Sequence, residues 1–236
     1  MDYLAAFERD GYLVVDIFSP DEVAELKKLL SGLIDPPASG HPRLYVHAAS
    51  EKPLPRLDPY NPYAVWKIVN TPLAGDAWYA LIQDARVLDV AGELIGPDIN
   101  FHMGFARLRP TGLRAEEGWH RDLETDRHTL PELVTALIYL DDMDAESGAT
   151  LVCPGSHRHD RPTPDEGEAV PVRARPGSVL FLHCLTLHRA SGNTTDRHRS
   201  ILINEYKSAR TMEVTPNDAA FADLPLRRGG RNLSAL

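Results

Sequence analysis

Cysteine is nearly absent: the chain has two in 236 residues, Cys153 and Cys184, and neither belongs to a paired motif. That removes a disulfide framework and any cysteine-based zinc or redox centre. It makes a reducing cytoplasm the expected setting, with both thiols as small buried apolar groups. Positive charge is also short. With 25 Lys and Arg against 34 Asp and Glu the formal net charge is −9, which repels nucleic acid and anionic membrane surfaces, and the scattered arginines form no continuous basic stripe. Neither partner is expected; a small-molecule substrate is, on a monomer or homodimer. Long apolar runs are missing too. No stretch approaches a membrane span, and the opening MDYLAAFERDGY carries acids where a signal peptide needs a basic segment and an apolar run. Asn193-Thr194-Thr195 fits a glycosylation acceptor but, without a secretory signal, has no route to the modifying enzymes.

What is present is an ordinary globular composition, 43% hydrophobic and 25% charged, enough for a core and a solvated surface. One domain over 1–236 is expected at this length, with a helical support and substrate loop (1–98), a β-rich core (99–210) and a polar C-terminal tail (211–236). Tyr12 to Val15 predicts a short strand. Ser19-Pro20-Asp21-Glu22 is a capping box with proline at the first helical position, and Val23, Leu26, Leu29, Leu30 and Leu33 then recur at helical spacing. From Asp35 to Pro62 the chain is proline-rich and predicts a long loop. Two helices are expected between Asp76 and Leu94, broken near Asp84 and stopped by Gly96-Pro97. Beyond them short apolar runs alternate with turns such as Glu146-Ser147-Gly148 and Pro176-Gly177, the rhythm of a sandwich or jelly roll.

The chemistry concentrates in WHRDLE. His120 and Asp122 lie two residues apart, so on extended backbone they project to one side and can grip one metal together. Alone, such a pair is more often a surface hydrogen-bonding pair. His188 offers a third ligand, and two imidazoles with one carboxylate leave three adjacent coordination positions open, an arrangement suited to iron(II) that holds an organic co-substrate and dioxygen together. Arg199 follows His188 at a spacing that suits neighbouring strands, and its planar, permanently charged fork matches the distal carboxylate of 2-oxoglutarate. Arg197 shares that face nearer the turn, and Arg199 is preferred.

At this point the chain resembles the phytanoyl-CoA dioxygenase family. The family's opening, an aromatic residue followed by Asp-Gly-Tyr and a capped helix, is matched by FERDGYLVV and SPDEVAELKKLL. Its core segments are matched in order by WHRD, ESGATLVCPGSH and LHRASGN with the later arginine. The resemblance spans nearly the whole chain. It implies a mainly β fold with N-terminal helices, an α+β arrangement around a double-stranded β-helix (jelly-roll, cupin-like) core. It implies a dioxygenase, an oxidoreductase using Fe(II), 2-oxoglutarate and O2, with His120, Asp122 and His188 as catalytic metal ligands and Arg199 on the C5 carboxylate of the co-substrate. Lys67, Phe105 and Leu137 fall at family positions around that co-substrate. One departure stands out: Ala190 occupies a place where many relatives have Ser or Thr helping to bind it, and neither Ser191 nor Tyr139 is an obvious replacement. His102, His128, His157, His159 and His183 are read as core or turn residues.

The outcome for the substrate, hydroxylation, oxidative cyclisation, desaturation or epimerisation, is open at this point. A zinc hydrolase could use the same three ligands, against which the histidine order and Arg199 argue, and a non-catalytic relative could keep the fold, against which the intact ligand set and the arginine argue. Arg43, His47, Arg56, Asp58, Glu124 and Arg127 flank the expected mouth and predict a compact polar substrate. A sugar or aminocyclitol precursor from antibiotic biosynthesis is the first expectation, since the chain resembles the short oxygenases of orthosomycin and aminoglycoside pathways. An amino acid or other small metabolite is the alternative.

Overall fold

The computed structural model describes residues 2–34, 41–48, 65–109, 118–123, 128–165, 167–214 and 219–233. Arg56, Asp58, Glu124 and Arg127 lie outside these. Helix α1 (Tyr3–Asp10) begins where the Asp2 carboxylate accepts from the Ala5 amide and ends at Gly11, whose φ of 79° closes the helix. Strand β1 (Tyr12–Asp16) leads to α2 (Pro20–Ile34). The capping box at its start is reciprocal: the Ser19 amide donates to Glu22 Oε2 at 2.7 Å, and the Glu22 amide to Ser19 Oγ at 3.3 Å. Val23, Leu26, Leu30 and Leu33 form its buried stripe.

Strands β2 (Tyr45–Ala48) and β3 (Val65–Val69) form an antiparallel pair. The stretch expected as one long loop therefore contains a strand. Helices α3 (Asp76–Leu81) and α4 (Ala85–Ile95) follow, separated by Asp84, whose carboxylate accepts from the Arg86 and Val87 amides and caps α4. The β-rich part comprises β4 (Ile99–Arg109), β5 (Leu133–Tyr139), β6 (Thr150–Val152), β7 (Val170–Pro171), β8 (Ser178–His183), β9 (His188–Ala190) and β10 (Arg199–Ser208). The tail adds β11 (Pro225–Arg228) and β12 (Arg231–Asn232).

Two antiparallel sheets result. The larger runs β1-β8-β5-β10-β4-β11-β12, with β3 also on β4; the smaller runs β7-β6-β9. Strand β5 explains how the larger sheet is used, because all seven of its residues are buried. Val134, Ala136 and Ile138 face the helices, in one cluster with Phe101, Phe181 and Tyr206. Leu137 and Tyr139 face the other way and pack with Leu180, Ile201 and Val152 between the sheets. A sheet buried on both faces loses the polar alternation of an open one. This is the jelly-roll core expected from the sequence, with helices on its outer face, and the chemistry lies between its sheets.

Candidate metal centre

His188 opens β9, and the chain around His120 lies beside it: each residue's amide donates to the other's carbonyl at 3.0 Å. The two rings stand 4.2 Å apart. Each Nδ1 lies 2.9 Å from a backbone carbonyl, Gly118 for His120 and Thr186 for His188. A carbonyl only accepts, so Nδ1 carries the proton in both rings and each Nε2 bears the lone pair, as metal-binding histidines require. Asp122 completes the group. Its Oδ1 lies 3.4 Å from His188 Nε2 and 3.9 Å from His120 Nε2, while Oδ2 accepts a 2.6 Å hydrogen bond from Thr135 on β5. The three ligand atoms lie within 4.8 Å of one another. Two neutral nitrogens and one carboxylate oxygen so gathered fit a divalent iron with an open face.

A cavity of about 70 Å³ adjoins this group, and Arg199, Phe105, Leu137, Ile201 and Ile203 help to line it. Arg199 begins β10 and is 2% exposed; its guanidinium also donates to the Gly148 carbonyl. Arg197 is not brought in: it is exposed and points toward Asp144, 3.6 Å away. Phe105 and Leu137 line the cavity, whereas Lys67 stands behind the Phe105 ring, with Nζ 5.2 Å from its centre.

Several contributors escaped the sequence reading. Thr135, which holds Asp122, is thirteen positions away and joins it only through the fold. Thr150 is the cross-strand partner of Ala190, lines the cavity and receives the Tyr139 hydroxyl at 3.2 Å. Thr150 thus brings a hydroxyl to the cavity where Ala190 brings none. Burial holds the Tyr139 pKa up at about 12, so it stays a neutral donor. Ser191 is not available, since it donates to the Ala149 carbonyl.

A second cluster brings together two of the histidines that the sequence places in the core or in turns. His102 Nδ1 lies 2.8 Å from Glu213 Oε1, and His128 Nε2 lies 3.9 Å from the same atom. Its ligand atoms are as tightly grouped as those of the first. Lys207, fully buried, places Nζ 3.5 Å from Glu213 and 2.8 Å from Asp223. The Lys207 ammonium offsets part of the charge of these two carboxylates, so the cluster reads as a largely buried ionic network.

The chain matches the family Phytanoyl-CoA dioxygenase (PhyH) over residues 7–201. The ectoine dioxygenase of Sphingopyxis alaskensis is 27% identical over 226 residues, covering 81% of this chain and 70% of that one. The crystal structure of EctD from S. alaskensis with 2-oxoglutarate and 5-hydroxyectoine superposes with a TM-score of 0.73 at 28% identity, covering 88% and 75% of the two chains; the same protein is also known with bound Fe. The epimerase SnoN from nogalamycin biosynthesis, at 21% identity, covers 97% of this chain and 93% of its own with a TM-score of 0.72, and shares the fold. Among the described residues no helix is long and apolar enough to cross a membrane. The chain belongs to the phytanoyl-CoA dioxygenase family and is an Fe(II)- and 2-oxoglutarate-dependent dioxygenase.

Proposed function

We propose that this chain hydroxylates a small, polar, amino-acid-like metabolite, with His120, Asp122 and His188 holding the iron and Arg199 the distal carboxylate of 2-oxoglutarate. The observation that carries this is the convergence of a two-histidine, one-carboxylate group and a buried arginine on one small cavity. Fe(II) held by these residues would supply the oxidative chemistry, in which one atom of O2 enters a substrate C–H bond and the other enters succinate as 2-oxoglutarate loses carbon dioxide. The protein's own part is positional. The Gly118 and Thr186 carbonyls fix the two imidazoles, and Thr135 engages one Asp122 oxygen so that the other is free to bind. Arg199 offers a charge-assisted fork in the wall of the cavity. Phe105, Leu137, Ile201 and Ile203 keep the space between them apolar and poor in water.

The ectoine dioxygenase relatives favour an amino-acid-like substrate over the sugar or aminocyclitol of the first expectation, because the antibiotic-pathway neighbour shares only the fold at its level of identity. The test is incubation with Fe(II), 2-oxoglutarate and a panel of ectoine, cyclic amino acids and aminosugars, with succinate and product mass recorded. A gain of one oxygen by an amino-acid-like compound, coupled to succinate, is expected. Coupled turnover of aminosugars alone would overturn the substrate class.

A further inference from the structure

We propose that Thr150, held by Tyr139, is a ligand of the distal carboxylate of 2-oxoglutarate and supplies from the facing strand the hydroxyl that Ala190 lacks. The inference rests on the assignment of Arg199 to that carboxylate and adds a second donor to the same site.

The smaller sheet sets the positions. It pairs Val152 with His188 and Thr150 with Ala190. Directly opposed residues of an antiparallel pair project to one face, and Thr150, Ala190 and His188 all line the cavity. Thr150 therefore stands two residues along β6 from the level of the metal ligand, about 7 Å at the rise of an extended strand. Two residues further back is Gly148, whose carbonyl accepts from the Arg199 guanidinium. His188, Thr150 and Arg199 thus follow one another along the wall of a single cavity. A 2-oxoglutarate that reaches from the metal ligands to Arg199 passes the Thr150 hydroxyl.

The hydroxyl is set up to donate. Thr150 is 3% exposed, and among the described residues its hydroxyl has one hydrogen-bond partner, the Tyr139 hydroxyl, which donates to it at 3.2 Å. Tyr139 is fully buried on β5, opposite Ile201. Burial pushes its pKa up to about 12 against smaller opposing effects of the Thr150 bond and the Arg199 charge, so at neutral pH it keeps its proton. A hydroxyl that accepts still has its own hydrogen to give, and with the Tyr139 proton directed at Thr150, the Thr150 hydrogen is left for the cavity. Two hydroxyls polarised in one direction make a stronger donor than one alone. The recipient fits: a carboxylate has about four lone-pair sites, a guanidinium fork takes two of them, and in a buried site the others need donors. The Ser191 hydroxyl, engaged by the Ala149 carbonyl, is not one.

The test is anaerobic calorimetry of 2-oxoglutarate binding to the Fe(II)-loaded protein, with Fe(II) affinity titrated separately. We expect Thr150→Val to weaken 2-oxoglutarate binding about tenfold, equivalent to about 1.4 kcal/mol, and to leave Fe(II) affinity unchanged. Thr150→Ser, which keeps the hydroxyl, should stay within about threefold of the parent. Thr150→Val combined with Ala190→Ser, which moves the hydroxyl across the strand pair, should regain most of the loss. Tyr139→Phe should weaken binding in the parent and add nothing in Thr150→Val, because its contribution runs through that hydroxyl. If Thr150→Val does not fold, Thr150→Ala takes its place in each comparison. Parent-like binding by the folded variant, an equal loss in Thr150→Ser, a double variant no tighter than the single one, or additive effects of Tyr139→Phe would overturn the inference. Arg199→Ala binding 2-oxoglutarate as the parent does, with Thr150→Val still weakened, would sink the arginine assignment and leave this one standing.

Discussion

Asp122 is gripped through one oxygen only, and that is where the sequence ran out at the scale of single residues. The His-x-Asp spacing was visible because a two-residue period survives in any extended segment. Thr135 and Thr150 were not, because a long-range hydrogen bond joins the first to Asp122 and strand register joins the second to Ala190, and no local pattern encodes either. Replacing Thr135 by valine keeps the shape and deletes the bond to Asp122 Oδ2. Loss of an outer contact of this kind costs about tenfold or more in metal affinity, so anaerobic Fe(II) titration of Thr135→Val should show that weakening; an affinity equal to the parent's would leave Asp122 positioned by something else. Arg199→Ala removes a charge-assisted contact of about 1.5–3 kcal/mol. It should raise the 2-oxoglutarate requirement at least tenfold and leave iron binding nearly intact, with Arg199→Lys in between. A variant that lost metal and kept its co-substrate dependence would show the arginine to be misassigned.

At the scale of elements, the strands and helices with a clear period were legible: β1, α2 and the α3–α4 pair lie close to where pattern placed them, and short apolar runs beyond them form β5, β8 and β10. Strands β2, β11 and β12 were hidden for a physical reason. They are short pieces among prolines, arginines and glycines that become strands only by pairing with longer neighbours, β2 on β3 and β11 on β4. Helix α1 was missed because it is short and, apart from Phe7, mostly exposed. The Pro176-Gly177 turn was read only as punctuation, yet Gly177 is a junction. Its φ is 90°, its amide donates to the Tyr139 carbonyl, and its carbonyl accepts from Ile17 and Phe18. A Cβ added there would lie 2.1 Å from the Phe18 oxygen. Gly177→Ala therefore combines a left-handed backbone with a clash against main chain and should destabilise the fold by about 3 kcal/mol. Chemical denaturation measures this, and a loss below about 1 kcal/mol would mean that the junction yields easily.

At the scale of the whole molecule, stability should depend on pH through His183. Burial, with a smaller push from His157, lowers its pKa from 6.5 to about 4, and its Nδ1 accepts from the Leu185 amide. The unfolded chain takes up a proton below pH 6.5 that the folded chain refuses. The contribution is thus complete above pH 6.5 and is lost as pH falls toward 4, at up to about 1.4 kcal/mol per pH unit. His183→Asn, which can keep an acceptor toward Leu185, should flatten that part of the stability profile. An unaltered slope in the variant would assign the acid sensitivity elsewhere.

The larger sheet also has to stop somewhere. Its last strand on that side, β12, is two exposed residues long, Arg231 and Asn232, and the strand behind it carries Arg227 and Arg228. Arg227 is tethered to Asp89 and Asn232, and Arg228 to Asn100. A second chain that tried to template itself onto this edge would find little backbone to pair with and several guanidinium groups to strip of water. Cationic short edges block strand-by-strand polymerisation in this way, so these last described strands keep an extensive sheet from growing beyond its own molecule.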